Sequence, residues 1–68
     1  MREFRFLQGT SDKFWRVGVF ESDLVVEYGR TGSKGQRVLK TYDNPERAKR
    51  EAEKLILEKT SKGYEEAV

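Results

Sequence analysis

The apolar residues of this chain change their spacing once, near residue 43. From residue 2 to residue 42 they alternate with polar residues in short segments, and this alternation ends at Asp43-Asn44-Pro45. Alternation is typical of strands with one buried face, because successive side chains of a strand point to opposite faces. An asparagine followed by proline and an acidic residue favours the start of a helix. The chain is therefore predicted to form strands first and one helix afterwards.

Turn residues divide the alternating region into four predicted strands. The segments between them are rich in glycine, serine and aspartate, and they are short. Short connections favour antiparallel neighbours, so the strands are predicted to form a meander. In the second strand, Trp15, Val17 and Val19 share the face that we expect to be buried. The four predicted strands are Arg2–Leu7, Lys13–Phe20, Leu24–Tyr28 and Gln36–Tyr42.

The predicted helix runs from Pro45 to about Ser61, and Gly63 is placed to end it. Its apolar positions fall on one stripe, which a helix cannot bury alone, and an aromatic sheet face needs a cover. We therefore expect an α+β fold, a four-stranded antiparallel meander packed by one C-terminal α-helix, as a single domain over residues 1–68. Leu57 lies opposite the stripe and is expected to be exposed. The stripe comprises Ala48, Ala52, Leu55, Ile56 and the stem of Lys59.

Composition excludes most enzyme chemistry. The 68 residues include no cysteine and no histidine, which removes disulfides, thiolates, the commonest metal ligand and the commonest general base. The neighbouring carboxylates, Glu21 with Asp23, Glu51 with Glu53, and Glu65 with Glu66, are better explained as a turn, a solvated helix face and a chain terminus. We expect a protein that is not an enzyme, with no catalytic residue, no metal site and no cofactor.

The beginning of the chain carries charges within two residues of Met1 and has no long apolar run. Such a run is what a signal peptide or a membrane span requires. We expect a cytoplasmic monomer without a membrane partner.

The positive charge of the chain is concentrated in one segment. The net charge is +2, but residues 28–42 hold four basic residues and no acidic one, while residues 1–27 and 43–68 each sum to −1. Basic residues can simply keep an edge strand soluble, or they can mark a surface that binds an anion. The four basic residues are Arg30, Lys34, Arg37 and Lys40.

Three glycines lie in the same segment, at Gly29, Gly32 and Gly35. Glycine-rich loops can turn their backbone amides toward phosphate. The spacing does not match the nucleotide-binding pattern G-x-x-x-x-G-K-[ST], because Lys34 stands where the second glycine belongs and a strand follows, so ATP and GTP binding are excluded. Two G-x-x-G stretches are similar to an RNA-clamping loop, but that loop joins two helices. A hairpin whose glycines permit positive φ also explains them.

Several of these elements together resemble the WGR domain. They are Tyr28-Gly29-Arg30 at a strand end, Thr31 to Gln36, the helix start at Tyr42–Ala48, and Lys59-Thr60 with Gly63-Tyr64 after it. The likeness extends from about Phe6 to Glu65. WGR domains stand beside the catalytic region of DNA-dependent poly(ADP-ribose) polymerases and occur in bacteria as short proteins or in larger regulators. The family fold, an antiparallel sheet packed by a helix, agrees with the fold predicted from the residues.

The resemblance implies a DNA-binding module. The tryptophan of the motif is Tyr28 here, so Tyr28 is expected to offer a smaller stacking face to a sugar at a DNA terminus, and Arg30 a phosphate or partner contact. Lys59, Thr60 and Tyr64 are expected to be structural. We expect double-stranded DNA to be bound at ends or nicks without sequence specificity. The predicted nucleic-acid site is Tyr28, Gly29, Arg30, Lys34, Gln36, Arg37 and Lys40.

An alternative stays open at this point. A domain of the same fold can instead dock onto a partner regulator or enzyme, and Leu57 and the region around Arg30 are the candidate contacts. The dependence of DNA binding on salt separates the two hypotheses, because only phosphate contacts release counterions.

Overall fold

The computed structural model describes residues 1–67. The first four strands follow the alternating segments of the sequence, and the helix begins at the proline that the sequence marks. The elements in chain order are β1 (Arg2–Gln8), β2 (Ser11–Phe20), β3 (Asp23–Arg30), β4 (Gln36–Thr41), α1 (Pro45–Ser61) and β5 (Glu65–Ala67).

All strand pairs in the sheet are antiparallel, and the strand order is β4-β3-β2-β1-β5. The predicted meander of the first four strands is confirmed. The predicted strand number is wrong, because the described chain forms five strands rather than four. The added strand, β5, returns after the helix and lies along the free edge of β1.

Strand β5 is short and carries no alternating pattern that would predict it. It pairs Glu65 with Arg5 and Glu66 with Phe4 across the edge of β1. The Glu66 carboxylate accepts hydrogen bonds from Nε and one terminal nitrogen of Arg2, each at 2.8 Å. A sheet edge leaves its backbone groups unpaired. Residues 65–67 are extended because they pair with that edge, a cause that lies more than fifty residues away in the sequence.

Helix α1 is capped as predicted. Asn44 has extended backbone geometry, and its side-chain oxygen accepts a 2.8 Å hydrogen bond from the backbone N–H of Arg47. At the other end, Gly63 has a φ of +110°, the left-handed region that favours glycine. Tyr64 then turns back, and its ring centroid lies 5.1 Å from that of Phe6. Within residues 1–67, no helix is long and apolar enough to cross a membrane.

The core lies between the helix and one face of the sheet, as predicted. Phe4 is 1% exposed and contacts Trp15, with ring centroids 5.5 Å apart. Ala52 of α1 packs against this cluster, because its small side chain lets the helix approach the sheet. Leu57 points away from the core and is 68% exposed, as expected. The core cluster is Phe4, Trp15, Val17, Leu24 and Ala52.

The helix-free face of the sheet carries a row of alternating charges across four strands. Arg16 of β2 donates a 2.8 Å hydrogen bond to Glu3 of β1, and it lies 3.5 Å from a carboxylate oxygen of Glu27 of β3. Glu27 in turn lies 3.6 Å from Arg37 of β4. The Arg16 guanidinium also lies 4.5 Å from the centroid of the Phe14 ring. Arg16 and Gly35 both lie against the Phe14 ring, which is buried on a face that no helix covers.

Candidate nucleic-acid interface

Tyr28 lies on the helix side of the sheet, in the second half of β3. The registers of the sheet place it between Trp15 of β2 and Gln36 of β4. Its hydroxyl donates a 2.9 Å hydrogen bond to Oε1 of Gln36. The ring is fixed at its hydroxyl end, yet the residue is 40% exposed. An aromatic ring held in this way can stack on a sugar or a base with little loss of side-chain entropy.

The glycine-containing loop between β3 and β4 is tied to both β2 and β3. Thr31 donates from its backbone N–H and its hydroxyl to Asp12, at 2.9 and 2.6 Å. Ser33 donates from its backbone N–H and its hydroxyl to the carbonyl oxygen of Arg30, at 3.0 and 2.7 Å. These bonds hold the loop next to Tyr28.

Two glycines of the loop have left-handed backbone conformations, but the space around them differs. Gly32 has a φ of +92° and open space where a side chain would begin. Gly35 has a φ of +71°, and a Cβ there would lie 2.8 Å from the Phe14 ring and would collide with the carbonyl oxygen of Tyr28. Gly35 therefore allows the chain to pass close against the strand that carries Tyr28. The positive φ values of Gly32 and Gly35 agree with the explanation that these glycines allow a hairpin turn.

The structure separates the four basic residues of the predicted site. Arg30 and Lys34 lie at the Tyr28 end of the sheet, and among residues 1–67 neither forms an ion pair. Arg37 lies on the helix-free face beside Glu27. Lys40 follows Gln36 by four strand positions, about 13 Å, and its Nζ lies 5.3 Å from the Tyr42 ring. Tyr28, Gly29, Arg30, Lys34 and Gln36 are thus brought together, and Arg37 and Lys40 are not.

Further basic residues reach the same end of the molecule from other parts of the chain. Lys13 of β2 is the strand partner of Arg30. Lys59, on the last turn of α1, has its Nζ 5.7 Å from the centroid of the Trp15 ring and 5.2 Å from that of Tyr64. Sequence reasoning did not include either lysine in the site. The β2–β3 register contained a signal for Lys13, because a hairpin turning at Glu21-Ser22 sets residue 13 opposite residue 30.

Electrostatics at this end are positive. Partial burial lowers the pKa of the Lys59 ammonium, and the positive charges of Lys62 and Lys13 lower it further, while Glu58 opposes them. Crowded ammonium groups repel one another, and an anion placed among them relieves that repulsion.

The side chains at this end of the molecule determine which ligands it can hold. Within the described chain, no three His, Cys, Asp or Glu residues are grouped so that they could hold a metal ion. The residues around Tyr28 offer cations, an aromatic face and an amide, which together suit phosphate and sugar.

An apolar cleft of about 410 Å³ lies elsewhere, where β2 extends beyond the start of β1. Met1, Val19 and Phe20 line it from the sheet side, and Lys49 and Ile56 line it from the helix. Val19 is six strand positions from Lys13, about 20 Å. The cleft is therefore separate from the Tyr28 end of the molecule.

The comparison with protein families gives one match over the whole chain. The family model described as the WGR domain matches residues 1–68. This agrees with the resemblance seen in the residues around Tyr28-Gly29-Arg30.

Two bacterial proteins are similar to this chain in sequence, and a bacterial protein of known structure is similar to it in both sequence and fold. The chain is 40% identical over 65 residues to the uncharacterized protein YfeS and 36% identical over 66 residues to the protein YehF, both of Escherichia coli strain K12. These matches cover 96% and 97% of the chain but 27% and 24% of the relatives, so the chain spans about a quarter of their length. A crystal structure of a Bacteroides fragilis protein superposes with a TM-score of 0.95 at 42% identity, covering 98% of this chain and 19% of that one.

Proposed function

The chain belongs to the WGR domain family, and we propose that it is a non-catalytic module that binds double-stranded DNA through its sugars and phosphates at ends or nicks. The observation that carries this proposal is the exposed ring of Tyr28, fixed by Gln36 at the same end of the sheet as two cations, Arg30 and Lys34, that have no carboxylate partner in the described chain. A DNA terminus offers both partners that this arrangement needs, an accessible sugar face and phosphates.

The side chains at the site favour contacts with the sugar-phosphate backbone of DNA over contacts with its bases. Arginine and lysine at a loop neutralise phosphates, and this contribution does not depend on sequence. Gln36 is an amide of the kind that reads base edges, but the hydrogen bond from Tyr28 to its oxygen fixes the amide toward the ring and opposes a bidentate contact with a base. The module is therefore proposed to recognise the form of the DNA and not its sequence.

A chemical-shift titration tests both the binding and its location. The ligand is a nicked duplex carrying a 5′-phosphate at the nick, and the intact duplex of the same sequence is the control. We expect the largest backbone amide shifts between Tyr28 and Gln36, and larger shifts with the nicked duplex. Shifts confined to the cleft around Val19, or no shifts at low salt, would contradict the proposal.

Charge-removing variants test the assigned cations. Arg30→Gln and Lys34→Gln should each weaken binding by about five- to tenfold at 0.1 M salt, because each removes one phosphate contact. The loss should be the same for duplexes of different sequence. Lys49→Gln is the matched control, since Lys49 lines the distant apolar cleft. An altered base preference in the Arg30 variant would contradict backbone recognition.

Protein docking remains the second candidate function, and one observation favours it. Phe20 and Leu39, on the helix-free face, are 54% and 60% exposed, and Leu57 is exposed on the helix. Exposed apolar side chains are typical of surfaces that contact other proteins. In this case Phe20→Ser and Leu39→Ser would abolish the association with a partner regulator or enzyme, and DNA would leave the amide spectrum unchanged.

A further inference from the structure

Three lysines at the C-terminal end of α1 form a positive cluster that the sequence does not show, because its members come from distant segments. Lys13 lies on β2, Lys59 on the last turn of α1, and Lys62 directly after the helix. The Nζ of Lys13 lies 5.6 Å from the centroid of the Phe6 ring, and the Nζ of Lys59 lies 5.2 Å from that of Tyr64. The Phe6 and Tyr64 rings pack together, so the two ammonium groups lie over one pair of aromatic rings.

None of the three lysines is paired with a carboxylate within ion-pair distance in residues 1–67. In the same part of the chain, ion pairs with carboxylates are formed by Arg2, Arg5, Arg16, Arg37 and Arg47. Lys13 is also the direct strand partner of another cation, Arg30. Like charges placed opposite each other destabilise a sheet. The fold thus gathers positive charge here at a cost to its own stability.

Helix geometry explains only part of this arrangement. The C-terminal end of a helix favours cations, which accounts for Lys59 and Lys62. Lys13 belongs to a strand, and its pairing with Arg30 gains nothing from the helix dipole. Burial and the repulsion from Lys62 and Lys13 lower the pKa of Lys59, and Glu58 offsets this only in part, so the net direction stays downward. An anion in contact with the three lysines would relieve this repulsion.

The cluster is continuous with the site around Tyr28. Tyr28 is the strand partner of Trp15, and the Nζ of Lys59 lies 5.7 Å from the Trp15 ring centroid. Lys13 and Arg30 are also strand partners, two residues along each strand from the Trp15–Tyr28 pair. A ligand that covers Tyr28 and Arg30 can therefore reach the lysines without leaving the helix side of the sheet.

We propose that Lys13, Lys59 and Lys62 form a second phosphate subsite, which binds the sugar-phosphate backbone of the same DNA strand that contacts Tyr28 and Arg30. This inference rests on the proposed DNA-binding function and extends its footprint from the glycine-containing loop to the end of the helix. Lys59 thereby has a binding role in addition to its packing on Trp15 and Tyr64.

The double variant Lys13→Gln with Lys62→Gln tests the subsite, because both residues are exposed and their loss spares the core. Binding of the nicked duplex is measured by fluorescence anisotropy over a range of salt concentrations. We expect affinity to fall by about tenfold or more at 0.1 M salt and the slope of log K against log salt to become shallower by about 2. Lys13→Arg with Lys62→Arg should keep the parent slope.

The matched control is Lys49→Gln with Arg50→Gln, which removes the same charge from the first half of the helix and should leave the slope unchanged. In one outcome, the lysine double variant keeps the parent slope while Arg30→Gln makes the slope shallower. That result would show that the second subsite is wrong and that the proposed function stands. Equal slope changes in the lysine and control variants would show a general charge effect and overturn the subsite. Failure of the parent protein to bind the duplex at low salt would overturn both proposals.

Discussion

At the scale of single residues, Tyr28 determines how the proposed site would work. The WGR motif, which this sequence resembles, has tryptophan at this position, and tyrosine offers a smaller face. The hydroxyl gives tyrosine something that tryptophan lacks here, a 2.9 Å hydrogen bond to Gln36 that fixes the ring at the sheet edge. A smaller but fixed ring is consistent with a stacking role.

Substitutions of Tyr28 separate the ring from the hydroxyl. Tyr28→Ala should weaken binding of the nicked duplex by about five- to 150-fold, because stacking of an aromatic side chain contributes about 1–3 kcal/mol. Tyr28→Phe should stay within about threefold of the parent, since the ring is retained and only one exposed hydrogen bond is lost. Fluorescence anisotropy measures both. Equal affinities for the alanine variant and the parent would exclude Tyr28 from the interface.

At the scale of elements, the loop between β3 and β4 depends on one close approach of the backbone. Gly35→Ala should destabilise the protein by more than about 1 kcal/mol, because the new Cβ adds collisions with Phe14 and Tyr28 to the strain of a left-handed backbone. Gly32→Ala has comparable backbone strain but open space around it, and it is the matched control. Urea unfolding gives the two free energies. A Gly32 variant as destabilised as the Gly35 variant would contradict the role assigned to the close approach.

Two carboxylates that accept hydrogen bonds from arginines, Glu3 and Glu66, predict how stability depends on pH. Hydrogen bonds from Arg16 and then Arg5 hold the pKa of the Glu3 carboxyl below its ordinary value, and hydrogen bonding from Arg2 does the same to the pKa of Glu66. A lowered folded-state pKa stabilises the protein above the ordinary value of 4.5, and this contribution is lost as pH falls below it. The thermal midpoint should therefore decline from about pH 5 downward.

Glu3→Gln isolates the contribution of one carboxylate to that decline. At pH 7 the variant should unfold at a lower temperature than the parent, because the charge of Glu3 is gone. As the pH falls below 4.5 and through the lowered folded-state pKa of Glu3, the parent carboxyl becomes protonated, so the two midpoints should approach each other. A difference that stays constant from pH 7 to pH 3 would show that the charge of Glu3 does not stabilise the sheet.

At the scale of the whole molecule, local patterns predicted most of the fold. Alternation gave the four strands of the meander, and the Asn44-Pro45 start gave the helix, because both signals lie within a few neighbouring residues. Strand β5 could not be predicted, since its three residues are extended only through pairing with β1. Burial of Phe14 without a covering helix could not be predicted either, because it depends on Arg16 and Gly35.

The candidate site was predictable only where it is local. Tyr28, Gly29, Arg30, Lys34 and Gln36 are close in sequence and remain together in the fold. Arg37 belongs to the same basic segment, but the sheet register sets it beside Glu27 on the opposite face. The members of the lysine cluster are distant in sequence, and the fold brings them together from β2 and the helix end. Counting charge along the chain cannot detect either effect.

The dependence of DNA affinity on salt tests the central claim most directly. If the Tyr28 end of the molecule binds the DNA backbone through Arg30, Lys34 and the three lysines of the cluster, log K for the nicked duplex should fall against log salt with a slope of about −4 to −5, as for about five neutralised phosphates. A flat response, or no binding at low salt, would contradict the claim that this domain binds DNA through its phosphates.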